Sequence, residues 1–284
     1  MMDNGIGTGP AVRLKEIREE LSALAETKYA AFASGLLRKP GEETVSGSAA
    51  RLLGVRLPIL RKMAARLAKE DWIGNLKALE SAGEEAAFEE IMLRGFLIGE
   101  VRIAPEKPCP EKKPLPAGTA CAARQIALEE AFALIRGFLP CIDNWSLCDS
   151  FCAGLKFAGK HREAVWAFLQ PFFFSAEEYE VRFGAVMALD YFIEEEYLDR
   201  VLQRLQEVRH GACYVRMAVA WAVSVCYVRF PARTEKWMES CALDEDTFRR
   251  AVQKIRESRR VSPEEKERLK GMLWTEDRRG GRRG

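Results

Sequence analysis

Apolar residues recur at intervals of three and four along nearly the whole chain, which is the spacing of amphipathic α-helices. The first such segment runs from Val12 to Leu37 and predicts one long amphipathic helix. In a later segment, Pro58 stands in the predicted first helical turn, where its missing N–H costs nothing. Strand-like alternation bounded by hairpin turns is hard to find. The pattern therefore predicts an all-α protein.

The remaining predicted helices differ in length but are separated by short breaks. One lies within residues 53–70 and begins near Pro58. The others cover residues 71–80, 83–101, 124–139, 144–156, 161–174, 178–193, 197–208, 212–229, 232–241, 244–258 and 262–273. Between two of them, residues 101–123 are rich in proline and mixed charge, which is typical of a surface loop. We expect a disordered N-terminus (1–11), a single helical-repeat domain (12–273) interrupted by this loop, and a basic, disordered tail (274–284).

One internal similarity indicates how the helices are arranged. EYEVRFGAVMALDYF (178–192) and ACYVRMAVAWAVSVCY (212–227) align on a Val-Arg pair, which places Arg182 and Arg216 34 residues apart with another helix between them. Helix pairs that repeat at this interval are typical of α-solenoids of the HEAT or TPR kind. The concave face of such a solenoid is its usual binding surface.

Composition limits the class of protein. Hydrophobic residues make up 48% of the chain, so a substantial core is expected, and 44 Lys and Arg oppose 42 Asp and Glu. A basic surface would thus have to come from segregation of charge. The eight cysteines contain no CxxC pair and only two histidines are present, so we expect no metal site. We assign most of the cysteines to the core of a protein from a reducing compartment.

Several classes of function lack their motifs. The sequence contains no GxxxxGK[ST], GxGxxG, HExxH or GxSxG, which leaves phosphoryl transfer, nicotinamide chemistry and triad hydrolysis without support. The N-terminal residues have no apolar signal region, and no apolar stretch reaches 18 residues. We therefore expect a cytoplasmic protein that does not contact membranes, and no cofactor.

The segment DNWSLCDSFC (143–152) carries the first candidate chemistry. Asp143 or Asn144 can cap a helix that begins there, and Trp145 and Asp149 then lie one turn apart on one face. Two interpretations remain open at this point. Either Trp145 packs in the core while Asp149 points to water, or the pair belongs to a site that holds a cation, since indole faces attract cations.

Two further residues favour a binding site. Arg182 and Trp221 each interrupt a strongly apolar helix, although each alone is explained by packing. Together with Trp145 and Asp149 they would suit a cationic, planar ligand next to a phosphate. A carboxylate stabilises positive charge on a sugar ring, and an arginine clamps phosphate oxygens.

With these residues in place, the chain resembles the DNA alkylation repair proteins of the AlkD type, which are HEAT-like-repeat DNA glycosylases. The resemblance spans about Val12 to Leu273 and is densest in DNWSLCDSFCAGLK, EYEVRFGAVMALDYFI, YVRMAVAWAVSVCYVRFP and VQKIRESRRVSPEEKERLK. It implies a right-handed α-solenoid of HEAT-like helix pairs with a concave, basic groove for duplex DNA. It also implies hydrolysis of the N-glycosidic bond of cationic N3- or N7-alkylated purines, without flipping of the base.

The resemblance further implies the role of each site residue. The family's catalytic carboxylate falls on Asp149, its two cleft tryptophans on Trp145 and Trp221, and its arginine at the lesion's backbone on Arg182. Asp149 would stabilise the oxocarbenium-like transition state and position a water, and the tryptophans would contact the deoxyribose. No metal or redox cofactor is implied.

Basic residues are the candidate contacts for DNA phosphates. The set comprises Lys156, Lys160, Arg216, Arg229, Lys254, Arg259 and Arg260, with Arg56, Arg61 and Lys62 nearer the N-terminus. Duplex DNA containing alkylated purines is the expected partner, and a monomer is the expected state. Two alternatives stay open: a HEAT-repeat module that binds DNA without catalysis, and a solenoid that binds a protein partner.

Overall fold

The computed structural model describes residues 9–39, 41–105 and 125–272 of the chain. Thirteen α-helices and a single pair of two-residue strands lie within them, so the all-α fold class is confirmed. The predicted basic tail (274–284), residues 1–8 of the predicted disordered N-terminus and most of the predicted proline-rich loop lie outside the described residues. The handedness of the superhelix stays a prediction.

The chain divides into two compact units, residues 1–157 and 158–284. The expected single domain over residues 12–273 stays a prediction. The helices of the first unit are α1 (Pro10–Leu24), α2 (Thr27–Leu37), α3 (Leu57–Glu80), α4 (Phe88–Gly99), α5 (Leu128–Phe138) and α6 (Trp145–Cys152). Helix α1 begins two residues before the predicted start, because Pro10 has the backbone geometry that a first helical turn needs.

The prediction of one continuous helix from Val12 to Leu37 is wrong. Ala25 and Glu26 are extended, and they separate α1 from α2. The amide of Glu26 donates to the carbonyl oxygen of Gly54 at 3.1 Å, and the Glu26 carboxylate receives two hydrogen bonds from Arg56. Because these partners lie about 30 residues further along the chain, the local pattern of apolar residues gave no sign of the break.

Helix α3 contains a sharp kink that the sequence did predict as a boundary. Asp71 leaves the helical conformation (φ −142°, ψ 88°), and its carboxylate accepts a hydrogen bond from the amide of Gly74 at 2.9 Å. This is the arrangement of a helix N-cap. The segments 57–70 and 71–80 are therefore two helical pieces, as expected.

The first residues of the predicted loop are extended. Strand β1 (Arg102–Ile103) pairs in parallel with β2 (Gln125–Ile126), with Arg102 opposite Gln125. The amide of Ala104 adds a further bond to the carbonyl of Ile126 at 2.8 Å. The two ends of the loop are therefore joined by backbone hydrogen bonds.

Helix α4 forms the centre of the first unit, where it packs on α3, α5 and α6. Glycine at position 95 allows this close packing, since a Cβ there would lie 2.9 Å from the ring of Phe138. The rings of Phe138 and Phe151 in turn lie 4.5 Å apart, which connects α5 with α6. Helix α6 is thus held by the most buried part of the unit.

Seven helices lie within the described residues of the second unit, and alternate helices pack on one another. Helix α8 packs on α10 and α10 on α12, while α9 and α11 also contact α10. This arrangement is typical of stacked helix pairs. The helices are α7 (Arg162–Leu169), α8 (Glu178–Tyr191), α9 (Leu198–Glu207), α10 (Cys213–Arg229), α11 (Pro231–Met238), α12 (Glu245–Glu257) and α13 (Pro263–Lys270).

A series of arginines follows the 34-residue interval of the repeat that the sequence predicts. Arg182 on α8 donates to the carbonyl of Tyr214 in the first turn of α10, at 2.8 Å. Arg216, one repeat later on α10, contacts Asp246 in the first turn of α12, at 3.4 Å. Arg250, a further 34 residues on, bonds the same carboxylate at 2.9 Å, and the two arginines, Arg250 foremost, hold the pKa of Asp246 below its ordinary value.

Most of the described cysteines pack in the core, as the sequence predicts, whereas Cys141 and Cys213 are half-buried. Cys148, Cys152, Cys226 and Cys241 are buried, and desolvation raises the pKa of Cys226 to about 12. A thiol with so high a pKa is a poor nucleophile. Within the described ranges, no His, Cys, Asp and Glu side chains form a group of three or more that would suit a metal ion. None of the helices in those ranges is long and apolar enough to cross a membrane.

One buried carboxylate fixes the segment that leads into α3. Glu89 on α4 is 1% exposed, and its two oxygens accept hydrogen bonds from the amides of Leu53, Gly54 and Val55 at 2.7–3.0 Å. Gly54 has φ +101°, and a Cβ there would lie 2.5 Å from the carbonyl of Glu26. Glu89 therefore secures the turn that also separates α1 from α2.

We expect Glu89→Gln to lower the free energy of unfolding by about 2–3 kcal/mol, because an amide has only one oxygen to receive three buried N–H groups. Denaturant titration followed by circular dichroism measures the change. Glu85→Gln, in an exposed turn nearby, is the matched control and should stay within about 0.5 kcal/mol of wild type. Equal effects of the two substitutions would contradict this role for Glu89.

Candidate functional site

Helix α6 presents Trp145 and Asp149 on its accessible side. Among the eight residues of the helix, only Trp145, Ser146 and Asp149 are half-buried, and the other five are buried. Trp145 and Asp149 lie four residues apart and so follow one another on the same face. The interpretation of Trp145 as a core residue is therefore wrong, and the indole and carboxylate share one accessible strip of the helix.

The start of α6 is fixed by a buried network of polar groups. Asn144 caps the helix by accepting a hydrogen bond from the amide of Leu147 at 3.0 Å, while its side-chain amide donates to Asp143 at 2.8 Å. The Asp143 carboxylate also receives the backbone amide of Ser48 at 2.5 Å and the Ser48 hydroxyl at 2.6 Å. Of the two cap candidates, Asn144 caps and Asp143 binds a loop 95 residues away.

Gly47 makes room for this network. It has φ +63°, a conformation that favours glycine, and a Cβ at this position would lie 2.3 Å from the Asp143 carboxylate. A glycine and a serine in a distant turn therefore set where Trp145 and Asp149 begin. Neither residue was predicted as part of the site, since nothing local connects SGS (46–48) with DNW (143–145).

Helix α2 accepts a hydrogen bond from the indole of Trp145. The indole Nε1 donates to the carbonyl oxygen of Leu36 at 3.4 Å. Behind it lies a cavity of about 130 Å³ with mostly apolar walls, which include Tyr29, Leu60 and Phe88. Helix α2 itself is weakly buried, with Phe32 63% exposed. The orientation of Trp145 thus depends on a helix that the rest of the first unit covers only slightly.

The other two predicted site residues lie in the second unit. Arg182 is 4% exposed, and in addition to its bond with the Tyr214 carbonyl, its guanidinium lies 5.9 Å from the centre of the Tyr214 ring. Trp221 lies seven residues beyond Tyr214 on α10 and is half-buried, on a strip with Met217 and Val225. Arg182 is thus held against α10, the helix that carries Trp221.

The predicted phosphate contacts fall into two groups. Arg216 and Arg229 are engaged with acidic groups, Asp246 at 3.4 Å and Glu194 at 3.1 Å respectively, which reduces the positive charge they present. The others are exposed or half-exposed: Lys156, Lys160, Lys254, Arg259 and Arg260. Among the earlier candidates, Arg56 pairs with Glu26 at 2.7 Å, whereas Lys62 is exposed on α3. Their contact with DNA stays a prediction.

Residues 17–260 match a protein family described as DNA alkylation repair enzyme. The chain belongs to this family. The match includes α6, α8 and α10, and thus all four predicted site residues, which agrees with the resemblance seen in the sequence. A comparison with curated proteins found no match.

For a DNA alkylation repair enzyme, the accessible strip on α6 provides suitable chemistry. A carboxylate can stabilise positive charge, and an indole one turn away can contact a sugar or a cationic base. The helix that carries both is fixed at its first turn by Asn144 and is packed on the core through Phe151. Groups held in this way are preorganised for a substrate.

We expect Gly47→Ala to destabilise the protein more than Gly83→Ala, by about 1–3 kcal/mol, because only at position 47 does a Cβ displace the Asp143 carboxylate from its partners. Both glycines have positive φ (+63° and +57°), and at Gly83 a Cβ meets nothing within 4 Å. The control therefore measures the conformational strain alone. Denaturant titration of the two variants gives the difference, and equal losses would contradict the importance of the Asp143 network.

Proposed function

We propose that the chain is a monofunctional DNA glycosylase that hydrolyses the N-glycosidic bond of cationic N3- and N7-alkylated purines in duplex DNA and leaves an abasic site. The observation that carries the proposal is the accessible Trp145–Asp149 strip on α6, in a chain that belongs to the DNA alkylation repair enzyme family. The family supports DNA alkylation repair, and the chemistry of the strip favours a substrate that carries positive charge.

The reaction requires little activation of the leaving group. An N3- or N7-alkylated purine is already cationic, so it takes the electron pair of the glycosidic bond and departs as a neutral base. The positive charge passes to the deoxyribose, where an oxocarbenium-like centre develops. Water adds to this carbon and loses a proton, which gives the hydroxyl group of the abasic sugar.

Asp149 is the proposed catalytic residue. Its carboxylate stabilises the charge that develops on the sugar and orients the attacking water, and the transition state gains more from it than the ground state does. Its place in the second turn of a capped and packed helix supports this role, since a fixed carboxylate needs no reorganisation during the reaction.

Trp145 is proposed to contact the deoxyribose and the cationic base through its ring. The indole is half-buried, and its Nε1 is engaged with the Leu36 carbonyl, so its orientation is set before substrate binds. Trp221 is proposed to act in the same way, since it is also a half-buried indole in an otherwise strongly buried helix. Attraction between an indole face and a cation is worth roughly 0.5–2 kcal/mol.

Arg182 is proposed to hold a phosphate of the damaged strand. The bond from its Nη1 to the Tyr214 carbonyl orients the guanidinium, which has five N–H donors in a fixed planar arrangement. Arginine in such a setting can bind two phosphate oxygens at once. A cation at the phosphate fixes the strand without specifying its sequence.

We expect Asp149→Asn to reduce the single-turnover rate of 7-methylguanine release from duplex DNA roughly a hundredfold or more, since an amide carries no charge to stabilise the sugar cation. Asp199→Asn is the matched control. It removes the same charge from a carboxylate that is 82% exposed on α9, and it should leave the rate unchanged.

Circular dichroism of both variants shows whether each is folded. Release by wild type that persists in a folded Asp149→Asn variant would remove Asp149 from the mechanism. Duplex binding by wild type without any release would replace the glycosylase by a module that binds DNA only. Absence of both binding and release would leave the protein-interaction alternative.

A further inference from the structure

A second cavity of the first unit lies where α4 and α6 end. It has a volume of about 130 Å³, and its walls include Arg61, Phe96, Glu100 and Lys156. The backbones of Gly99 and Gly154 approach closely here, since a Cβ on Gly99 would lie 2.9 Å from the carbonyl oxygen of Gly154. Glycine backbone on the walls of a cavity allows a ligand to come close to the main chain.

The two basic residues of this cavity, Arg61 and Lys156, differ from nearby arginines in having no carboxylate partner within the described part of the chain. Among the described residues, neither Arg61 nor Lys156 has a side-chain hydrogen bond or ion pair, whereas Arg56 and Arg66, five residues before and after Arg61, each bind carboxylates. Instead, the Arg61 guanidinium lies 4.4 Å from the centre of the Phe96 ring. Stacking on an aromatic ring fixes a guanidinium while its N–H donors stay available at the edge.

The charge of the cavity favours an anion. Arg61 and Lys156 supply two positive charges against the one negative charge of Glu100, in a chain whose positive and negative residues nearly balance. A planar fork of donors and a flexible ammonium group together suit the oxygens of a phosphate.

The position of the cavity connects it with the proposed active site. Gly154 follows the last turn of α6 and stands five residues after Asp149. At 1.5 Å per helical residue, the two positions are separated by roughly 10 Å or less along the helix. A phosphate held here would belong to a nucleotide close to the cleaved bond.

We propose that Arg61 and Lys156 form a binding site for a backbone phosphate of duplex DNA, at the end of α6 opposite Trp145. This assignment rests on the proposed function, which supplies duplex DNA as the ligand and Asp149 as the catalytic residue. The site positions the duplex relative to Asp149 and takes no part in bond cleavage. The site does not distinguish between base sequences, because phosphate groups are the same at every base pair.

Binding of a short, unmodified DNA duplex, followed by fluorescence anisotropy between about 50 and 200 mM salt, tests the proposal. The double variant Arg61→Gln, Lys156→Gln should bind roughly tenfold more weakly at the lower salt concentration. The slope of log K against log salt concentration should become shallower by about 1, the value for one lost phosphate contact.

Two controls separate a specific contact from net charge and from packing. The double variant Lys15→Gln, Lys69→Gln removes the same charge from exposed positions on α1 and α3, and it should change affinity and slope clearly less. Arg61→Lys keeps the charge and should retain most of the slope. A loss in Arg61→Lys as large as in Arg61→Gln would mean that packing on Phe96, and not phosphate binding, explains Arg61.

The proposal is overturned if the Arg61, Lys156 double variant keeps the affinity and slope of wild type, or if the Lys15, Lys69 control loses as much. Release of 7-methylguanine by wild type is measured in parallel. A shallower slope without any release in wild type would support the phosphate site and contradict the glycosylase. Release in wild type with an unchanged slope in the variant would contradict the phosphate site alone.

Discussion

The position of α6 depends on one partly buried contact, in which the carboxylate of Asp143 accepts hydrogen bonds from the backbone amide and the hydroxyl of Ser48. This contact brings a turn near the N-terminus against the residue that precedes the helix cap. Asn144 then caps α6 and also binds Asp143. Loss of a buried partner in such a network leaves polar groups unsatisfied, which costs more than the bond itself contributes. The accessible face of Trp145 and Asp149 follows from where this helix begins.

Many charged side chains of the described helices form ion pairs. Most arginines of the described helices bind a carboxylate, and many of these pairs are solvent-exposed, where each contributes about 0–1 kcal/mol. A small net charge is therefore compatible with a DNA-binding surface, because the cations that lack a carboxylate partner determine what the surface attracts. Arg61 and Lys156 belong to this minority, whereas the equally plausible candidates Arg216 and Arg229 do not.

Local features of the fold were predictable from sequence, since they depend on neighbours along the chain. The spacing of apolar residues predicted nearly all helices, and Pro58 marked the start of α3. The 34-residue interval between Arg182 and Arg216 continues in the structure to Arg250. The break at Ala25 was not predictable, because Gly54 and Arg56 cause it from 30 residues away.

The same distinction holds for the candidate site. Trp145 and Asp149 were predicted as site residues because they share one face of a helix, and Arg182 and Trp221 because each interrupts an apolar helix. The family match covers all four. The sequence alone could not show that the indole of Trp145 is accessible. Its exposure depends on how α2 packs beside it, and α2 buries the indole only in part. The roles of Gly47, Ser48 and Glu89 were missed for a related reason. Each acts through backbone groups that are distant in the chain and common in sequence.

The most direct test of the central claim is the identity of what leaves the DNA. Duplex DNA containing 7-methylguanine is incubated with the full chain, and both the released molecules and the remaining strand are analysed by mass spectrometry. A glycosylase that uses Asp149 predicts free 7-methylguanine and a strand that carries an intact abasic site. Recovery of unmodified guanine in the strand, or an unchanged lesion at enzyme concentrations that saturate the duplex, would contradict the account.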